Sequence, residues 1–157
     1  MLSNAIYPGS FDPPTLGHLN IVERGLKIFK KITIAVAINT SKTPLLSCET
    51  RVELLKDLFK KYPNVAVDSF EGLLVNYAKT QQTGLILRGV RTVADFEYEL
   101  QMSFANKKLW SEIETIFIMT ESRYSHISSS IIKEIAKFGG SLTDMVPPNV
   151  EKKLLKK

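Results

Sequence analysis

The strongest constraint on this chain is a rhythm. Short apolar, β-rich runs alternate with stretches whose apolar residues recur every three or four positions. The runs fall at 2–7, 32–38, 65–70, 84–87 and 115–119. The second, ITIAVAI, is nearly continuous in apolar residues, as expected of a strand covered on both faces. Between the runs, Thr15 caps a helical stripe of Leu16, Leu19, Val22, Leu26 and Phe29. Ser47 caps another with Val52, Leu55, Phe59 and Tyr62, and 72–82 is a short helix carrying Leu73, Leu74, Tyr77 and Ala78. Thr92 with Asp95 opens a helix striped by Phe96, Leu100 and Phe104, a set suited to core or to a subunit interface. A helix over 128–138 stops at Gly139-Gly140, and Pro147-Pro148 starts a last short basic helix at about 148–157. Five strands alternating with helices predict an α/β fold: a doubly wound, five-stranded parallel sheet, in one domain over 1–157.

Such a sheet binds its ligands beyond the carboxyl ends of its strands, near the point where strand order reverses. The unusual residues of this chain cluster after strands. Gly9-Ser10-Phe11 and His18 follow the first, and Lys42 the second. Arg88-Gly89-Val90-Arg91 follow the fourth, and 123–130 (RYSHISSS) the fifth. The set is cationic and rich in hydrogen-bond donors. Two helix N-termini, at Thr15 and Ser128, add unpaired N–H groups and positive dipole ends. Glycine at 9, 17 and 89 is expected to let a ligand approach the backbone. A polyphosphate is the ligand this chemistry fits.

Composition narrows the classes. Of 157 residues, 44% are apolar and 24% charged, which suits a globular domain. No apolar run approaches the ~20 residues that span a bilayer, and the N-terminus lacks the pattern of a signal peptide. A cytoplasmic protein without membrane contact is expected. The lone Cys48 excludes an internal disulfide and a cysteine-rich zinc site. The net charge of +5 comes from scattered lysines, so a solvated surface rather than nucleic-acid binding is expected. Neither G-x-G-x-x-G nor G-x-x-x-x-G-K-[ST] occurs, which argues against a dinucleotide dehydrogenase and a P-loop kinase. No aspartate arrangement suggests a metal cage. Mg²⁺ is expected to arrive on substrate phosphates.

Thr15-Leu16-Gly17-His18 matches the T/H-x-G-H signature of the nucleotidyltransferase superfamily, and 127–133 (ISSSIIK) resembles its I-S-S-T-x-x-R signature. With YPGSFDP, RGVRTVADFEYE and YSHISSS in order, the chain resembles the bacterial phosphopantetheine adenylyltransferases from Ala5 to about Val150. The resemblance implies a Rossmann-like nucleotidyltransferase fold and a transfer of the adenylyl group of ATP to 4′-phosphopantetheine, in coenzyme A biosynthesis. It also implies a homohexamer and feedback by coenzyme A.

Carried over residue by residue, the resemblance places Ser10, Phe11, His18, Gly89, Val90, Arg91, Glu99, Tyr124, Ser125, His126, Ile127, Ser128, Ser129 and Ser130 on the ATP side. Ser10, Lys42, Leu74 and Arg88 fall on the phosphopantetheine side. His18, Lys42, Arg91 and Ser129 are expected to act on the reacting phosphates. The departures are Ser10 for a frequent threonine, Tyr124 for tryptophan, His126 for an aromatic residue and Lys133 for arginine. The protonation of His18 stays open, because a helix N-terminus disfavours the imidazolium and phosphates favour it. Arg88 and Arg91 admit a second reading, as ion-pair partners of Glu99 or Asp95. The alternative acceptors are nicotinamide mononucleotide and glycerol 3-phosphate. A different class altogether is a non-catalytic nucleotide- or RNA-binding module.

Overall fold

The structure is a computed structural model that describes residues 2–39 and 43–155. Its strands are β1 (Leu2–Gly9), β2 (Phe29–Ile38), β3 (Val65–Glu71), β4 (Leu85–Val90) and β5 (Glu114–Met119). Its helices are α1 (Leu16–Gly25), α2 (Cys48–Phe59), α3 (Leu74–Thr80), α4 (Val93–Leu109), α5 (Ser129–Lys137) and α6 (Pro148–Leu154). All strand pairs are parallel, in the order β3-β2-β1-β4-β5. This is the doubly wound sheet that the alternation predicts. The order reverses between β1 and β4, and that gap is where the sheet's ligand crevice opens.

Successive residues of the strands feed opposite faces. Tyr7, Ile32, Ile34, Val36 and Leu87 join Ile21, Val22, Leu55 and Phe59 in one core beneath α1 and α2. Ile6, Ala35 and Ile86 join Val75, Tyr77 and Ala78 of α3 on the other face. A third cluster ties the C-terminal segment to α2, through Leu46, Leu54, Ile127, Ile132, Leu142, Val146, Val150 and Leu154. Asn149 donates to the Leu54 carbonyl and the Asp57 carboxylate at the same seam.

Several boundaries differ from expectation. Phe29 is not the last member of the α1 stripe; it opens β2 and is fully buried there. Helix α1 stops at Gly25, whose missing side chain lets Ile32 and Leu87 pack against it. Tyr62 lies past the end of α2, in the turn to β3, and donates to Glu23. Strand β4 continues to Val90, so Arg88 and Gly89 stand on its end rather than in the following loop. Helix α4 buries no residue at all. Phe96 meets Phe117 edge-on at 5.3 Å, but Phe104 is 65% exposed, so the stripe is not core in the single chain. Helix α6 runs from Pro148 to Leu154, and 156–157 lie outside the described residues.

Candidate active site

The loop leaving β1 is bent tightly. Phe11 holds a left-handed backbone, φ +47°, which a bulky residue adopts only when its surroundings demand it. Its ring supplies the demand: it is buried edge-on against Tyr7 (5.3 Å) and His18 (4.9 Å). Asp12 anchors the same loop. Its carboxylate accepts the Leu45 and Leu46 N–H groups, both at 2.9 Å, and pairs with Lys133 of α5 at 2.5 Å. Burial alone raises the Asp12 pKa, but the Lys133 ammonium and the two amides outweigh it and leave it below the usual value.

Thr15 caps α1. Its hydroxyl accepts the His18 N–H, while its own N–H donates to His18 Nδ1 at 3.0 Å. A backbone N–H only donates, so Nδ1 is an acceptor and carries no proton. The neutral ring therefore bears its proton on Nε2. Burial of the ring, with the positive charges of Arg91 and Arg88, lowers its pKa from 6.5 to about 4. The charge state that the sequence leaves open is thus neutral at pH 7 in the ligand-free chain.

Around this loop lie two adjoining clefts. The larger, about 440 Å³, is lined by Ser10, Phe11, Gly17, His18, Gly89, Arg91 and the residues 127–130, among others. Ser128 caps α5 by accepting the Ile131 N–H, and the Ser129 hydroxyl donates to the Pro13 carbonyl. The N–H groups of Ser129 and Ser130 have no protein partner among the described residues and remain for a ligand. The smaller cleft, about 220 Å³, is lined by Phe70, Leu74, Met102 and Asn106, and is more apolar. Ser10, Arg88 and Glu99 line both. Glu99 takes both nitrogens of a two-pronged contact with Arg88, through Nε at 2.7 Å and through Nη2, and Arg88 also reaches the Pro8 carbonyl. Arg91 pairs with Asp95 at 2.9 Å and donates to the Ile127 carbonyl at 2.9 Å. The ion-pair reading of both arginines is therefore correct, and both still line the larger cleft.

Other predicted site residues stand elsewhere. Val90 is buried below the cleft rather than lining it. Tyr124, Ser125 and His126 occupy and follow the short turn after β5, outside the lining. Arg123 lies over the Tyr124 ring at 4.7 Å. Lys42 lies outside the described residues. The glycines divide. A Cβ on Gly89 would sit 2.7 Å from Ile21 Cγ1, and one on Gly9 would touch the Phe11 ring, so both serve packing of α1 and its loop. Only at Gly17 is the nearest atom as far as 3.5 Å, and Gly17 alone of the three keeps space free for a ligand.

Sequence reasoning missed Arg51. It is 4% exposed and donates to the Ser10 carbonyl at 2.6 Å, with longer contacts to the Ala37 and Ser47 carbonyls. It pins the cleft loop to the ends of β2 and α2. Its one sequence signal was an arginine on the core side of the α2 stripe. Tyr7 and Tyr98, which also line the larger cleft, were missed as well.

Residues 6–135 match the cytidylyltransferase-like family, and the reversed sheet with two helix N-termini over a donor-rich cleft fits its class, the nucleotidyltransferases. A phosphopantetheine adenylyltransferase of Caldanaerobacter subterraneus subsp. tengcongensis is 53% identical over 153 residues, 98% of this chain and 96% of that protein. At that identity and coverage, the chain belongs to the phosphopantetheine adenylyltransferase family. Its fold is shared with a putative nicotinate-nucleotide adenylyltransferase from Vibrio parahaemolyticus, with a TM-score of 0.74 at 20% identity, covering 99% of this chain and 93% of that one.

Proposed function

We propose that this chain transfers the adenylyl group of ATP to 4′-phosphopantetheine, giving dephospho-coenzyme A and pyrophosphate. The observation that carries the reading is the shared wall. Ser10, Arg88 and Glu99 separate a donor-rich cleft suited to a triphosphate from an apolar one suited to a pantetheine arm. Two phosphorylated substrates placed on either side of that wall meet at their phosphates.

An oxygen of the acceptor phosphate attacks the α-phosphorus of ATP, and the bond to the pyrophosphate oxygen breaks. A phosphate monoester has a second pKa of about 6, so the nucleophile is already ionised and no general base is needed. The protein's work is alignment and stabilisation of charge. His18, neutral and with its proton on Nε2, donates to an α-phosphoryl oxygen. Arg91 and the α5 N-terminus at Ser129 and Ser130 hold the leaving phosphates, and Lys42 joins the reacting groups. Leu74 packs on the pantetheine arm. Asp12 is engaged by Lys133 and two amides; Mg²⁺ would be brought by ATP and would offset charge on the triphosphate. Coenzyme A carries the same arm and competes for the smaller cleft. No helix among the described residues is long and apolar enough to cross a membrane. The uncovered α4 supports a homo-oligomer, with a hexamer as the assembly.

Purified protein with ATP, Mg²⁺ and 4′-phosphopantetheine is expected to release pyrophosphate. Release only with nicotinamide mononucleotide or glycerol 3-phosphate would refute the acceptor.

A further inference from the structure

Tyr7 stands on β1 with 5% of its surface exposed. Its ring belongs to the core, packed edge-on to Phe11 at 5.3 Å and tilted against His18 at 6.4 Å. Its hydroxyl does not share in that packing. Among the described residues nothing hydrogen-bonds to it, although buried polar groups are otherwise almost always paired. Nor is it sealed off: the one closed-off unpaired side-chain atom among the described residues is Asn149 Oδ1. The Tyr7 hydroxyl therefore opens into the larger cleft that the residue lines. A phenylalanine would fill the core as well, so packing does not explain the oxygen.

We propose that Tyr7 is a substrate contact whose phenol donates a hydrogen bond to a phosphate oxygen. This rests on the phosphoryl-transfer reading of the cleft. The charges around the hydroxyl select that partner. Arg88 and Arg91 line the same cleft and are donors only, while Glu99 and Asp95 pair with those same arginines. What the site lacks is an acceptor that tolerates two guanidinium groups, which describes a phosphate. Burial raises the phenol's pKa well above its ordinary value, so it stays protonated and able to donate.

Tyr7→Phe removes one oxygen and keeps the ring. The variant is expected to melt within a few degrees of wild type and to lose ~10-fold or more in one of three readouts. Weaker ATP in a binding isotherm assigns the contact to the nucleotide. Weaker 4′-phosphopantetheine assigns it to the acceptor. A fall in kcat with both isotherms intact assigns it to the α-phosphoryl group in the transition state. Wild-type values in all three overturn the proposal. If wild-type protein turns over only another acceptor, the substrate reading fails, and Tyr7 is judged with that acceptor instead.

Discussion

Thr15 donates its N–H to His18 Nδ1 over 3.0 Å, and its hydroxyl accepts the His18 N–H in return. One capping pair thus starts α1 and also fixes the tautomer of the histidine that faces the cleft. Glutamate or glutamine is the usual reciprocal residue at this helical position, and glutamine is the uncharged one. His18→Gln is expected to keep the cap and melt near wild type at pH 7. It should lose ~10²-fold or more in kcat, the scale for one oriented transition-state donor, with little change in ATP affinity. Steady-state kinetics beside an ATP isotherm check both halves; near-normal turnover would remove His18 from the mechanism.

The same ring sets an acid sensitivity. The unfolded chain takes up a proton on His18 near pH 6.5, which the folded chain refuses until about pH 4. Its contribution is level above pH 6.5. Stability then falls as pH drops toward 4, by up to about 3 kcal/mol. Urea unfolding of wild type and His18→Gln between pH 7 and 4 should show the slope in the first and its loss in the second. Parallel curves would contradict the assignment.

Two glycines should respond in opposite ways to one methyl group. Gly89→Ala drives a Cβ to 2.7 Å from Ile21 and should cost about 1–3 kcal/mol, with partial rescue by Ile21→Ala. Gly17→Ala meets nothing nearer than Thr15 Oγ1 at 3.5 Å, an ordinary contact, and improves helix propensity, so stability should hold or rise. ATP affinity should fall roughly tenfold, because the methyl takes room in the cleft. Thermal melts and ATP isotherms on both variants decide it.

Asp12→Ala removes the acceptor of two amides and strands Lys133. The expected loss is about 3 kcal/mol, since two amide N–H groups are left without their acceptor. Lys133→Met should cost less, because Asp12 keeps both amides. Equal losses in urea titrations would mean that the ion pair, not the amides, dominates.

Helix α4 leaves Tyr98, Met102, Phe104 and Leu109 exposed. Exposed apolar residues on more than one side of a helix, in a chain taken alone, mark an interaction surface. Light scattering should find an assembly larger than the monomer, and Phe104→Glu should reduce it without loss of helix signal. A wild-type monomer at working concentration would overturn this.

The alternation of strands and helices was legible because strand and helix periods differ so sharply. Its edges were not. Phe29 fits the α1 spacing by arithmetic, yet Gly25 ends that helix to admit Ile32 and Leu87, a packing demand no local pattern carries. The site's ingredients were legible for the same reason that they are unusual: Ser10, His18, Arg91 and 128–130 follow strands. Other partners were not. That Arg51 holds the Ser10 carbonyl, or that Lys133 pairs with Asp12, depends on residues brought together from distant segments. The glycines misled, because a missing Cβ looks the same in sequence whether it makes room for a ligand or for Ile21.

Arg88 and Ser10 belong to the lining of both clefts at once. Whatever side chain stands there addresses both chambers at once, so neither substrate preference can drift alone. Any descendant of this chain that takes a new acceptor must rebuild its grip on the nucleotide in the same step, or else change its acceptor from the far side, at Phe70, Leu74 and Met102, where the two problems separate.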